Sequence, residues 1–163
     1  MIWQHCYIGL GSNLGRSEES LAAAIEALSA NDAIRNMLVS SYYQSKPHGP
    51  QDQPDYINAV AGFETLLEPE VLLDLLQSLE NEHGRVRNGE RWSARTLDLD
   101  ILLYADQEID SDRLLVPHRW MRHREFVLYP LFEIAPALIF PDGTSLRECL
   151  GAVSDESLIR LAK

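Results

Sequence analysis

A chain of 163 residues, 45% hydrophobic and 24% charged, can bury one core without staples and has the composition of a soluble globular domain. Its formal net charge of −11 argues against a general affinity for nucleic acid or acidic membranes, and two cysteines, Cys6 and Cys149, are too few for a disulfide framework. No basic segment followed by a long apolar run opens the chain, and no stretch approaches the ~20 apolar residues of a membrane span, so a cytoplasmic protein without a membrane partner is expected.

In chain order, HCYIGLGS reads as a short apolar strand running into glycines. SEESLAAAIEALSA follows as a helix, with Leu21, Ala24, Ile25 and Leu28 at helical spacing and acids in the first turn. MLVSSYYQS predicts a strand, KPHGPQDQP a loop with three prolines, and DYINAVAGFET another strand. Pro69 suits the first turn of a second helix whose apolar stripe is Val71, Leu72, Leu75, Leu76 and Leu79, with Gly84 as its stop. The arginine-rich loop RVRNGERWSAR leads into TLDLDILLY, where Leu97, Leu99, Ile101 and Leu103 alternate with Thr96, Asp98, Asp100, Leu102 and Tyr104. After a turn at ADQ, the segment EID is expected to pair back. PHRWMRHREFVLYPLFEIAP holds a loop and a third helix, LIF suggests a final strand, and GTSLRECLGA a short last helix. Strand-helix-strand-strand-helix-strand without a linker or repeat predicts one domain, 1–163. The expected fold is an α+β sandwich with a mostly antiparallel sheet, helices packed on its faces, and a ferredoxin-like order.

Asp98 and Asp100 carry the clearest chemistry. Residues i and i+2 of a strand share a face and lie roughly 6.5–7 Å apart at the backbone. Their carboxylates can converge on one hard cation or hold two cations about 3.5–4 Å apart. Magnesium suits such a pair because it takes one or two carboxylates and completes its shell with substrate phosphates. The plainer reading is an exposed strand face with Arg95 as an ion-pair partner. Eight of the chain's fourteen Lys and Arg lie between Arg85 and Arg124, which favours a compact polyanion near the pair.

Tyr56 and Asn58 repeat the i, i+2 spacing, an aromatic face beside an amide that could stack a flat heterocycle and read its edge. Gln77 and Glu80 share a helix surface. GLGSNLG imitates a dinucleotide fingerprint, but Leu14 stands where the third glycine belongs, so it reads as a strand-to-helix turn near the site. The histidines have no metal spacing, and His118 is the one retained as a phosphate or ribose contact. No Ser-His-Asp or Cys-His arrangement suggests covalent catalysis.

The segments GSNLG, GPQDQPDYIN, GRVR, ERW, RTLDLDILLY, VPH and REFVLYPLFEIAP, in this order, resemble the 6-hydroxymethyl-7,8-dihydropterin pyrophosphokinases, from about Tyr7 to Gly143. The resemblance implies transfer of diphosphate from ATP to the pterin hydroxymethyl group, release of AMP in folate biosynthesis, and two magnesium ions. It implies that Asp98 and Asp100 hold the magnesium ions and that Arg85 and Arg95 stabilise charge on the transferred group. Arg87, on the ATP side, and Trp92, on the pterin side, would belong to the loop that closes the site. Gln77, Glu80, Ile101 and His118 would line the ATP pocket. Tyr56 and Phe126 would sandwich the pterin, with Asn58 at its edge and Arg124 close by. A monomer is expected. The chain departs from the family pattern at Lys46 and His48 in SKPHG, in WSAR, and at Arg119. A metal-dependent nucleotide hydrolase built on the same aspartates leaves Tyr56, Asn58 and Phe126 without a shared role. An RNA-binding module of ferredoxin-like type conflicts with the charge.

Overall fold

A computed structural model describes residues 2–12, 17–46, 55–82 and 97–161. Its first strand, β1 (Gln4–Ser12), buries Cys6, Ile8 and Leu10 on one face and turns Tyr7, Gly9 and Gly11 to the other. Helix α1 (Ser17–Ser29) lays Leu21, Ala24 and Leu28 on that first face, as its spacing predicts. Helix α2 (Pro69–Glu82) begins at the proline and joins α1 there through Leu72, Leu76 and Leu79. Val71, one residue off this stripe, is half exposed and does not belong to the core side.

The strand expected over 37–45 is two strands, β2 (Ile34–Val39) and β3 (Tyr43–Ser45), both paired with β4 (Tyr56–Thr65). The break falls at Ser40 and Ser41. The Ser40 hydroxyl accepts from the Val60 N–H at 3.0 Å and donates to the Ser41 carbonyl at 2.7 Å, so a side chain replaces part of the ladder. With β5 (Asp98–Tyr104), the sheet runs β5-β1-β4, with β2 and β3 on the far side of β4 and every pairing antiparallel. This is the ferredoxin-like order anticipated from the element sequence.

Alternation in β5 holds only as far as Ile101. Ile8 of β1 opposes Ile101 but Tyr7 opposes Leu103, so Leu102 is an extra residue in a bulge. Leu97, Leu99 and Ile101 face α1 and α2, Leu102 and Leu103 both face away, and Tyr104 returns to the first side. The regular alternation expected for Leu103 and Tyr104 is therefore reversed.

Downstream, Ile109–Asp110 (β6) pairs with Leu115–Val116 (β7) in a separate ribbon rather than back on β5. A short 3₁₀ turn at Met121–His123 precedes α3 (Glu125–Ile134). LIF is no strand and makes a single bridge, Ile139 to Ser145. Ser145 then caps α4 (Leu146–Leu150) by accepting the Glu148 N–H at 3.1 Å. Sequence reading missed β8 (Ile159–Arg160), which pairs with β3 at the sheet edge. No helix among the described residues is long and apolar enough to cross a membrane.

Because α1 and α2 occupy one face, α3 must cover the other. It does so at one end only, packing Val127, Leu128 and Leu131 over Val60, Leu102 and Leu103. The opposite end of that face is left open, and it carries Tyr56, Asn58, Asp98 and Asp100. Gly62 belongs to the covered end, directly across from Tyr7, and a Cβ there would stand 2.7 Å from the Tyr7 Cε1. Gly62→Ala is expected to cost about 1–3 kcal/mol through displacement of this ring. Denaturant unfolding measures it, and an unchanged midpoint would contradict the packing.

Candidate active site

The open end of the sheet forms a pocket with three walls. The floor is β1, where Gly9 and Gly11 put no side chain into the space; a Cβ on Gly11 would come within 3.3 Å of the Asn58 Oδ1. On one side β5 offers Asp98 and Asp100, and on the other β4 offers Tyr56 and Asn58, extended by Ser45 and Lys46 at the end of β3. Arg124, Phe126 and Val127, from the start of α3, close the third side, and His118 completes the rim next to Asp100. The i, i+2 pairs on β4 and β5 thus face one another across a glycine strand.

Gly9 opposes Asp100 and Gly11 opposes Asp98 in the ladder, so β1 sets the level of both carboxylates. Leu99, between them, is buried and anchors the strand, and its N–H donates to the Glu80 Oε2 at 2.8 Å. Glu80 is therefore buried against the edge of β5, whereas Gln77 is exposed, near Arg113. The two do not share a surface environment. The Ile101 side chain lies in the core under α1 and α2, on the reverse of the strand.

His118 is held twice. Its backbone N–H donates to the Leu102 carbonyl at 3.0 Å, and its Nδ1 accepts the Trp120 N–H at 3.2 Å. An accepting Nδ1 leaves the ring proton on Nε2, which lies 3.9 Å from the Asp100 Oδ2. Burial lowers the imidazole pKa, and nearby Arg124 adds to this against the opposing pull of Asp100. A neutral ring at pH 7 leaves the charge of Asp100 available to a cation.

Asn58 is almost fully buried, and its Nδ2 donates to the Ser45 hydroxyl at 2.8 Å and toward the Tyr43 carbonyl at 3.4 Å. A carbonyl only accepts, so the amide NH₂ must face β3 and the Oδ1 must face the pocket. Arg124 lies with its guanidinium carbon 5.7 Å from the Phe126 ring centroid, a cation beside an aromatic wall.

Of the eight arginines between 85 and 124, only Arg124 lines the pocket among the described residues. Arg113 pairs with Asp74 at 2.5 Å, Arg122 with Asp142 at 3.0 Å, and Arg119 stacks on Trp120. Arg85, Arg87, Trp92 and Arg95 lie outside the described residues, as does His48. Sequence reading placed GLGSNLG near the site as a strand-to-helix turn, whereas Gly9 and Gly11 lie within β1; it did not assign Ser45 or Val127 to the site.

The donor set can be matched to a metal by its chemistry. No group of three or more His, Cys, Asp or Glu side chains that could hold an ion exists among the described residues. Two carboxylates on one face suit magnesium, which takes its remaining ligands from phosphate and water; they do not make a closed cage for zinc or calcium.

Residues 7–136 match the model of the 7,8-dihydro-6-hydroxymethylpterin-pyrophosphokinase (HPPK) family. The chain belongs to this family. The enzyme is 52% identical over 155 residues to the Haemophilus influenzae 2-amino-4-hydroxy-6-hydroxymethyldihydropteridine pyrophosphokinase, covering 95% of this chain and 96% of that one. It is 49% identical to the protein of the same description from Pseudomonas aeruginosa, with 97% of each chain covered. Among solved structures, a Plasmodium falciparum HPPK-DHPS superposes with a TM-score of 0.71 at 12% identity over 93% of this chain. The chain spans less than half of that protein, 45%, and the likeness there is one of fold. The reaction expected from the motifs, ATP-dependent diphosphate transfer to the hydroxymethyl dihydropterin in folate biosynthesis, is the reaction of the family.

Proposed function

We propose that the pocket is the seat of this reaction, with the pterin between Tyr56 and Phe126 and the triphosphate of ATP against Asp98 and Asp100. The supporting observation is that the carboxylate pair and the aromatic-amide pair face each other across Gly9 and Gly11, with Arg124 and Phe126 closing the same space. Asp98 and Asp100 would hold two magnesium ions, which would offset the charge of the triphosphate. The Asn58 Oδ1 accepts an N–H from the edge of the heterocycle, and Arg124 lies beside it. His118 keeps Asp100 in place and borders ATP. Gln77, Glu80 and Ile101 flank the nucleotide along the outer edge of β5, Ile101 through its backbone because its side chain is in the core.

Tyr56, Asn58 and Phe126 hold the hydroxymethyl group toward the triphosphate, so that its oxygen bonds to the β-phosphorus as the bond to the α-phosphate oxygen breaks and AMP departs. This needs positioning and charge balance rather than a covalent intermediate. Arg85 and Arg95 supply further positive charge, and Arg87 and Trp92 belong to the closing segment. The chain acts as a single catalytic domain, as a monomer, in the cytoplasm.

The test is to follow AMP with ATP, magnesium and 6-hydroxymethyl-7,8-dihydropterin present. AMP is expected only when the pterin is added; ADP, or AMP without acceptor, would favour a hydrolase instead. Activity is also expected to need free magnesium beyond that complexed with ATP. A rate that saturates once ATP is complexed would limit the site to one ion.

A further inference from the structure

A second polar cluster lies behind the pocket wall and has no part in the chemistry above. Glu133, near the end of α3, is mostly buried. Its Oε1 accepts the Tyr43 hydroxyl at 2.6 Å, and its Oε2 accepts both the Ser41 N–H at 2.9 Å and the Ser41 hydroxyl at 3.0 Å. Arg160 from β8 lies 3.5 Å from the same Oε2 and donates from its Nε to the Ser41 hydroxyl at 3.1 Å. Backbone pairing of β8 with Tyr43 and Gln44, and the Leu161 N–H on the Tyr42 carbonyl at 2.8 Å, bind the same short strand from its other side. One carboxylate therefore joins α3, β3 and the C-terminal strand.

Each of these elements leads to the pocket. Tyr43 stands opposite Asn58 in the ladder, and the Tyr43 carbonyl and Ser45 hydroxyl are what turn the Asn58 amide. Helix α3 carries Phe126 and Val127 at its other end. Strand β3 is only three residues long, too short to hold its register alone, and it follows the break at Ser40 and Ser41.

We propose that Glu133 is a positioning residue for the heterocycle: with Arg160 and β8 it clamps β3 to α3, and so fixes the orientation of Asn58 and the gap between Tyr56 and Phe126. This rests on the assignment of the pterin to that gap. The clamp touches neither carboxylate of β5, so its loss acts on the pterin side and spares the nucleotide side. Burial and the Glu133 carboxylate hold the Tyr43 phenol up at about 12, so it remains a donor throughout the working pH range.

The experiment is a fluorescence titration of 6-hydroxymethyl-7,8-dihydropterin in the presence of magnesium and a non-hydrolysable ATP analogue, with steady-state KM values for both substrates. Glu133→Ala is expected to raise the pterin Kd and KM about tenfold while the KM for ATP stays within twofold. Glu133→Gln, which keeps one accepting oxygen, should fall between this variant and the unaltered protein. Tyr43→Phe removes a single hydroxyl; it is the variant to read should Glu133→Ala not fold, and about threefold weaker pterin binding is expected. A pterin Kd within 1.5-fold of the unaltered protein in Tyr43→Phe, or an equal rise in both KM values in Glu133→Ala, would overturn the inference. Asn58→Ala separates the two levels of the argument. If it leaves pterin binding intact, the pterin site itself is misplaced; if it weakens binding while the Glu133 and Tyr43 variants do not, only the clamp fails.

Discussion

Asp98→Ala and Asp100→Ala are each expected to lower turnover by about a thousandfold or more, which corresponds to ~4 kcal/mol of lost transition-state stabilisation. Opposite Gly11 and Gly9, the two carboxylates share the pocket face and are the only ones that line it among the described residues. Asp98→Asn and Asp100→Asn keep the side-chain shape and remove the charge. They should lose nearly as much, because magnesium prefers anionic oxygen. None of the four changes removes core packing, since the burial of β5 rests on Leu97, Leu99 and Ile101. Removing one of two neighbouring like charges also relieves repulsion, so the Asp100 variants are expected to keep their thermal stability. Turnover within tenfold of the unaltered protein in either alanine variant, with pterin and ATP at saturation, would refute the metal assignment.

Glu80→Leu is expected to combine a loss of stability with a loss of activity. The buried carboxylate accepts the N–H of Leu99, the residue between the two aspartates, on a strand whose other edge is already paired with β1. A leucine leaves this N–H without its acceptor in a desolvated place, which costs about 1–3 kcal/mol. It also frees the strand segment that sets the spacing of Asp98 and Asp100. The midpoint of unfolding should fall, and the magnesium concentration for half-maximal rate should rise several-fold. Glu80→Gln keeps an accepting oxygen and should restore most of the stability. If Glu80→Leu changed only the KM for ATP, with stability and magnesium dependence unmoved, Glu80 would act on the nucleotide alone and give β5 no support.

Much of the site was legible because the relevant periodicity is that of a strand. Alternation alone places Tyr56 with Asn58 and Asp98 with Asp100, and the ladder leaves each pair on one face. Leu21, Ala24 and Leu28 likewise mark the buried side of α1 at helical spacing. Alternation fails at Leu102, because a bulge depends on how two strands meet and leaves no mark in either one. It fails again at Ser40 and Ser41, where the hydroxyls find partners 20 residues and more away. For Glu80 the sequence shows only a helix surface shared with Gln77, because nothing local reveals the strand N–H it satisfies.

The sequence by itself determined the order of the core elements from β1 to β5 apart from the break at Ser40 and Ser41, the antiparallel ferredoxin-like arrangement, the two paired motifs and, through their combination, the family. Only the tertiary structure decided that the two pairs face each other across Gly9 and Gly11, that α3 leaves one end of its face uncovered, and that Glu133 joins three distant segments. The reason is physical. Local periodicity records which side of an element is apolar, whereas a pocket arises where packing stops, and that point is set by helices and strands remote in the chain.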